Sequence, residues 1–115
     1  MHGTVDIKRQ KQCFVDVRSV ALAHLNAIKI PEAANQRFML INGDYWMKDF
    51  MTALSKEFPD WPIKTEESGD EVAYQEWDTK LSEEVLKIDY EKDIGKVLIE
   101  MAHSMIATGA LKKPA

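Results

Sequence analysis

Apolar and polar positions alternate between two periods along the first forty residues. Phe14, Val15 and Val17 form a short run of aromatic and β-branched side chains, which predicts a strand near residues 13–17. Beyond it, Val20, Ala21, Ala23, Leu25, Ala27 and Ile28 cover one broad face of a helix expected over residues 19–29, with Asp16 or Ser19 as its starting residue. Pro31 cannot donate a backbone hydrogen bond and ends that helix, and Ala33 and Ala34 carry the chain round. Arg37 then opens a second apolar run, with a strand expected near residues 38–41. Asn42, Gly43 and Asp44 break it, and Asp44 is a suitable cap for a helix from Tyr45 to Phe58. Met47, Phe50, Met51, Leu54 and Phe58 recur in that helix at spacings of three and four, giving a single apolar stripe, and Pro59 to Pro62 stop it.

The second half is more polar. Ile63 to Glu71 is acidic and rich in breakers, so an exposed loop is expected, followed by a short extended piece around Val72 to Trp77. Thr79 is a candidate cap for a short helix over residues 80–86, and Ile88 to Tyr90 form a link. The last helix, expected over residues 91–108, places Ile94, Val97, Leu98, Met101 and Met105 on one face, and Gly109 sits where a left-handed C-terminal residue belongs. Residues 1–11 read as a polar, loosely held segment, and Lys112 to Ala115 as a polar tail. The pattern is that of one mostly helical domain over residues 12–115 with a few short strands.

Composition narrows the classes of function. Apolar residues at 45% and charged residues at 30% suit a globular chain and exclude global disorder. With a formal charge of −4, the small basic cluster of Lys8, Arg9 and Lys11 is outweighed, so nucleic acid is not an expected partner. Cys13 is the only cysteine, which rules out an internal disulfide and a zinc ribbon and fits a reducing compartment. No apolar run approaches the ~18 residues a membrane span needs, and the first dozen residues lack the apolar core of a secretory signal. A cytoplasmic location is expected.

Four stretches carry a resemblance. Phe14-Val-Asp-Val-Arg-Ser-Val-Ala-Leu-Ala-His24, followed by Pro31-Glu-Ala and Arg37-Phe38, resembles a segment of the extended short-chain dehydrogenases/reductases. It is closest to the dihydroflavonol-reductase and ketoreductase-like branch of the epimerase/dehydratase superfamily. Phe58-Pro-Asp-Trp-Pro-Ile63 is similar to that family's Phe-Pro-x-x-Pro-Ile segment. Trp77-Asp-Thr-Lys80 with Leu86-Lys-Ile-Asp-Tyr90 resembles its Asp-x-Ser/Thr-Lys and Leu-Gly-Ile-x-Tyr elements. Met101 to Ile106, with Gly109 to Pro114, resembles its closing helix and tail. The order and spacing follow the family from about residue 12 to the end.

The resemblance implies an α/β class: the substrate-binding lobe of a Rossmann-type protein, with the dinucleotide-binding lobe absent from this chain. The implied parent activity is reduction of a ketone or aldehyde with NADP(H). Two departures stand out. Ser19 replaces a usual Asp, and Lys87 replaces the Gly of Leu-Gly-Ile, which costs roughly 1 kcal/mol if the site has a positive φ.

The chemistry-bearing motifs are missing. A pyrophosphate site needs closely spaced glycines opening a helix, whereas Gly3, Gly43, Gly69, Gly95 and Gly109 are scattered. Hydride transfer in the family uses Tyr and Lys four apart, so that the Lys lowers the Tyr pKa, but Asp49, Asp78 and Ile94 follow Tyr45, Tyr74 and Tyr90 at that spacing. No catalytic, cofactor-binding or metal-ligating residue is therefore expected here, and no cofactor is expected to bind this chain alone.

The substrate-pocket candidates are Cys13, Phe14, Asp16, Arg18 and Arg37. Each has a plainer reading: Cys13 and Phe14 as core residues, Asp16 and Arg18 as an ion pair or cap, Arg37 as a solvated strand-end charge. His24 among alanines reads as a buried, hydrogen-bonded packing residue, and neither it nor His103 has a partner that would make a small new enzyme. Trp61, between prolines, buries its ring or exposes it where a neighbour is missing. The leading expectation is a piece of a larger reductase whose partner is the coenzyme-holding lobe, or a second copy met through bare apolar surface. The alternative is a stand-alone, non-catalytic interaction domain of the same descent.

Overall fold

Asp16 sets the first corner of the chain. Its backbone is extended, and its carboxylate accepts the Arg18 amide hydrogen, so the helix begins one residue later at Val17. A computed structural model describes residues 7–112; the polar residues 1–6 and the end of the tail, 113–115, lie outside the described residues. In order, the elements are β1 (Ile7–Arg9), β2 (Lys11–Phe14), α1 (Val17–Lys29), a single 3-10 turn (Pro31–Ala33), β3 (Gly43–Trp46), α2 (Met47–Glu57), β4 (Glu67–Glu71), α3 (Lys80–Val85) and α4 (Ile94–Ala107). The strands form two pairs, β1 with β4 and β2 with β3.

The chain divides into two compact units. One holds residues up to Gln12, Tyr45–Tyr74 and Asp93 onward; the other holds Cys13–Asp44 and Gln75–Lys92. In the first unit α2 packs on α4, and β1 runs parallel to β4 with Ile7 opposite Glu67 and Lys8 opposite Ser68. Arg9 reaches Glu67 across the pair at 3.4 Å. Ile7 is buried there, and β1 together with the start of β2 at Lys11 takes up most of residues 7–11, which are therefore not a loose lead-in. Likewise, part of the acidic stretch expected as a loop is β4. On α4 the buried positions are Leu98 and Ala102, four apart, while Met101 is exposed, so the expected face is rotated by one residue. Asp93 caps α4 by accepting the Lys96 amide hydrogen at 3.1 Å. At its far end Gly109 takes φ +80°, which only glycine adopts without strain, and its amide returns to Ile106.

The second unit has its core in Ala23, Ala33, Leu86, Ile88 and Tyr90, with Phe38, Leu40, Val15 and Ile30 packed against it. The link from Leu86 to Tyr90 thus supplies three of the core side chains. Burial alternates along it, with Lys87 and Asp89 facing outward. Lys87 adopts φ +57°, the conformation for which the resembling motif carries Gly. Ser82, fully buried on α3, donates to the Thr79 carbonyl at 2.7 Å and meets the Tyr90 hydroxyl at 2.9 Å.

Two local expectations are corrected, and a third holds in part. Residues 38–41 are half-buried but form no strand; the strand lies later, at Gly43–Trp46. Asp44 therefore sits in β3, and α2 starts after Trp46 without a side-chain cap. Thr79 does hold the N-cap position of α3, but its side chain caps nothing; the Lys80 amide hydrogen goes to Asp78 at 3.0 Å.

Candidate functional site

The sequence-predicted residues all fall in the second unit, and the structure separates them into a tight node and three looser positions. The node joins the end of β2 to the start of α1. Asp16, 6% exposed, receives Arg18 through both carboxylate oxygens: Nε at 3.0 and 3.2 Å and the terminal nitrogen at 2.6 Å. This two-pronged contact is the strong form of the arginine–carboxylate pair, with the guanidinium side left open to solvent. Asp16 is the cap of α1 and Arg18 lies in its first turn.

Behind the node stands Asn42, which sequence reasoning read only as a strand breaker. It is 2% exposed. Its side-chain oxygen accepts the Asp16 amide hydrogen at 3.1 Å, and its side-chain nitrogen donates to the Glu91 carbonyl at 2.5 Å. Its own amide donates to Phe14, and its carbonyl accepts the Lys92 ammonium at 3.2 Å. One buried amide side chain so ties three separated stretches of chain together. A polar residue directly after an apolar run, Phe38 to Ile41, was the only hint of this in the sequence.

The other candidates are placed differently. Cys13 is exposed on β2, contrary to its reading as a small buried residue. Phe14 is half-buried, 3.8 Å from where a side chain at Gly43 would begin. Arg37 is exposed in an irregular stretch, and no hydrogen bond or ion pair joins it to the other four among the described residues. Cys13 and Phe14 thus lie beside the Asp16 node in sequence and structure, while Arg37 stands apart.

Neither His24 nor His103 stands beside a second group that would give it a catalytic or metal-binding role among the described residues. His24 is exposed, not buried, and its Nδ1 meets the Val20 carbonyl one turn back at 2.8 Å. In the first unit His103 pairs with Glu57 at 3.0 Å, and its ring lies 5.1 Å from that of Phe58. Among the described residues no group of three His, Cys, Asp or Glu side chains is placed to hold a metal. No helix among them is long and apolar enough to cross a membrane.

What α1 leaves uncovered is as informative as what the unit buries. Of the six apolar residues expected to form its packed face, only Ala23 is buried. Val17 is 77% exposed, Leu25 47% and Ile28 85%, and with Ala21 they fall on one side of the helix at spacings of three and four.

No family model matches the chain. It is 36% identical over 63 residues, 51% of its length, to an uncharacterized oxidoreductase of Saccharomyces cerevisiae, YDR541C, and 41% identical over 54 residues, 47% of its length, to cinnamoyl-CoA reductase 1 of Petunia hybrida. Those stretches amount to 18% and 16% of the two relatives. Among solved structures, the yeast methylglyoxal/isovaleraldehyde reductase Gre2, complexed with NADPH, superposes on 93% of this chain with a TM-score of 0.74 at 22% identity. The chain spans 37% of that protein, so it has the fold of a portion of a Rossmann-type reductase.

Proposed function

We propose, from the premise that this chain is a portion of an extended short-chain dehydrogenase/reductase, that it is the substrate-side lobe of an NADP(H)-dependent ketone or aldehyde reductase. It carries no hydride-transfer chemistry by itself. The single observation that carries this reading is the exposed apolar side of α1. A soluble helix ordinarily turns such a stripe inward, and Val17, Leu25 and Ile28 turn theirs out. The coenzyme-holding lobe is the surface that covers it. The reductase relatives supply the activity class, and the scattered glycines and the missing Tyr–Lys pair explain why the chemistry must come from elsewhere.

Within this reading Cys13 and Phe14 on β2 face substrate, and Arg37 offers an exposed cation to an anionic group on it. Asp16 and Arg18, fully engaged with each other, hold the corner that positions β2. Lys87 adds a further mark of descent, since a left-handed backbone at a lysine fits a site where the family has Gly.

The test is a titration of the purified chain with NADPH, paired with sedimentation and binding of an apolar-surface dye. The expected outcome is no nucleotide binding tighter than millimolar, with dye binding and concentration-dependent self-association. A monomer that binds no dye and melts sharply would favour the stand-alone interaction domain instead. Tight NADPH binding would sink both readings.

A further inference from the structure

The first unit contains a hollow that none of the substrate-pocket candidates touches. It lies between α2 and α4 and the segment after α2, with a volume of about 270 Å³. Leu54 and Phe58 form one wall, Ala102 and Ile106 the opposite one, and Trp61 meets Phe58 edge to face at 5.9 Å between ring centres. The lining is almost wholly carbon. Lys112 contributes the one charged group, and no acidic side chain lines the hollow among the described residues.

We propose that this hollow binds a small amphipathic anion: a carboxylate on an apolar body the size of a single substituted ring or a medium-length alkyl chain. The size argument is direct, because a dry cavity of ~150 Å³ already holds benzene, and 270 Å³ leaves room for a short tail. Aromatic and aliphatic walls with a few convergent polar groups are the usual make-up of small-ligand sites. The charge argument fixes the polarity of the end group. Carbon walls alone accept any apolar molecule, but a lining whose one charged residue among the described residues is a lysine favours an anion over a neutral or cationic head. This inference goes beyond the reductase reading and is independent of it, since no residue of α1 or β2 takes part.

The experiment is an NMR titration of the whole chain with octanoate, and in parallel with 1-octanol, following backbone amides and tryptophan indoles. The expected result is submillimolar octanoate binding, with shifts centred on Leu54, Trp61, Ala102 and Ile106, and clearly weaker binding of octanol. Lys112→Glu should weaken octanoate roughly fivefold and leave octanol unchanged. Ala102→Phe should abolish both by filling the hollow; because Ala102 is buried and a larger residue there risks the fold, Lys112→Glu and the alcohol comparison stand independently of it. Equal binding of acid and alcohol, shifts centred on the exposed side of α1, or no shifts at the hollow would each overturn the proposal. So would binding that appears only after residues 113–115 are removed, since the chain's own tail would then be the occupant.

Discussion

Every polar group of Asn42 is used: its amide, its carbonyl, its side-chain oxygen and its side-chain nitrogen each have a partner within the second unit. Removing the side chain deletes two hydrogen bonds, a buried one to the Asp16 amide and a part-buried one to the Glu91 carbonyl. Asn42→Ala should therefore lower stability by about 2–4 kcal/mol, read as a shift of the urea midpoint. Asn42→Asp, which sets an acceptor against the Glu91 carbonyl and buries a carboxylate, should cost at least as much. A loss under about 0.5 kcal/mol would show that water replaces both bonds. Lys87 points the other way. Its φ of +57° strains any side chain, so Lys87→Gly should raise stability by about 1 kcal/mol in the same assay, despite the freer unfolded chain. The two residues differ in how well they could be read beforehand. The strain at Lys87 was foreseeable because a resembling motif carries Gly there. The role of Asn42 was not, because a short polar residue after an apolar run has the same appearance whether it breaks a strand or anchors three segments.

For elements, the periodic signal located helices well and misjudged faces and pairings. All four helices lie within a few residues of their expected bounds. Residues 38–41 show why strands fared worse. Phe38 and Leu40 do pack on the core, as alternation implies, yet a strand also requires a backbone partner, which side-chain pattern does not report. Leu86 to Tyr90 is the link between helices that was expected, but the period of two at Leu86, Ile88 and Tyr90 makes it a source of core side chains, which a stretch so short did not announce. On α4 small size decided the matter: Ala102 lets the helix approach its neighbour, and Met101, the bulkier residue, is turned outward. The outward side of α1 carries its own prediction. A Leu25→Ser, Ile28→Ser double variant should reduce self-association and dye binding without lowering the melting temperature, because neither side chain is in the unit's core. A fall of several degrees in melting temperature would mean that the stripe is packed in solution and is not a docking face.

At the scale of the molecule, the family resemblance read from four short stretches agrees with reductase relatives that share 36% and 41% identity over about half of the chain. The fold follows too, over 93% of the length, in a superposition at only 22% identity. The candidate site was legible only in part. Sequence alone brought Asp16 and Arg18 together, but it misjudged the burial of Cys13 and His24, because apolar neighbours along the chain do not establish burial in space. The hollow beside Trp61 was legible only as a tryptophan set between prolines. One of these corrections has a practical side. With a single thiol in 115 residues, and that thiol open to solvent on β2, a maleimide fluorophore would attach at one known address without mutagenesis. Coupled beside Phe14, it would act as an optical gauge of that end of β2, brightening or dimming as any protein surface or small molecule came against it.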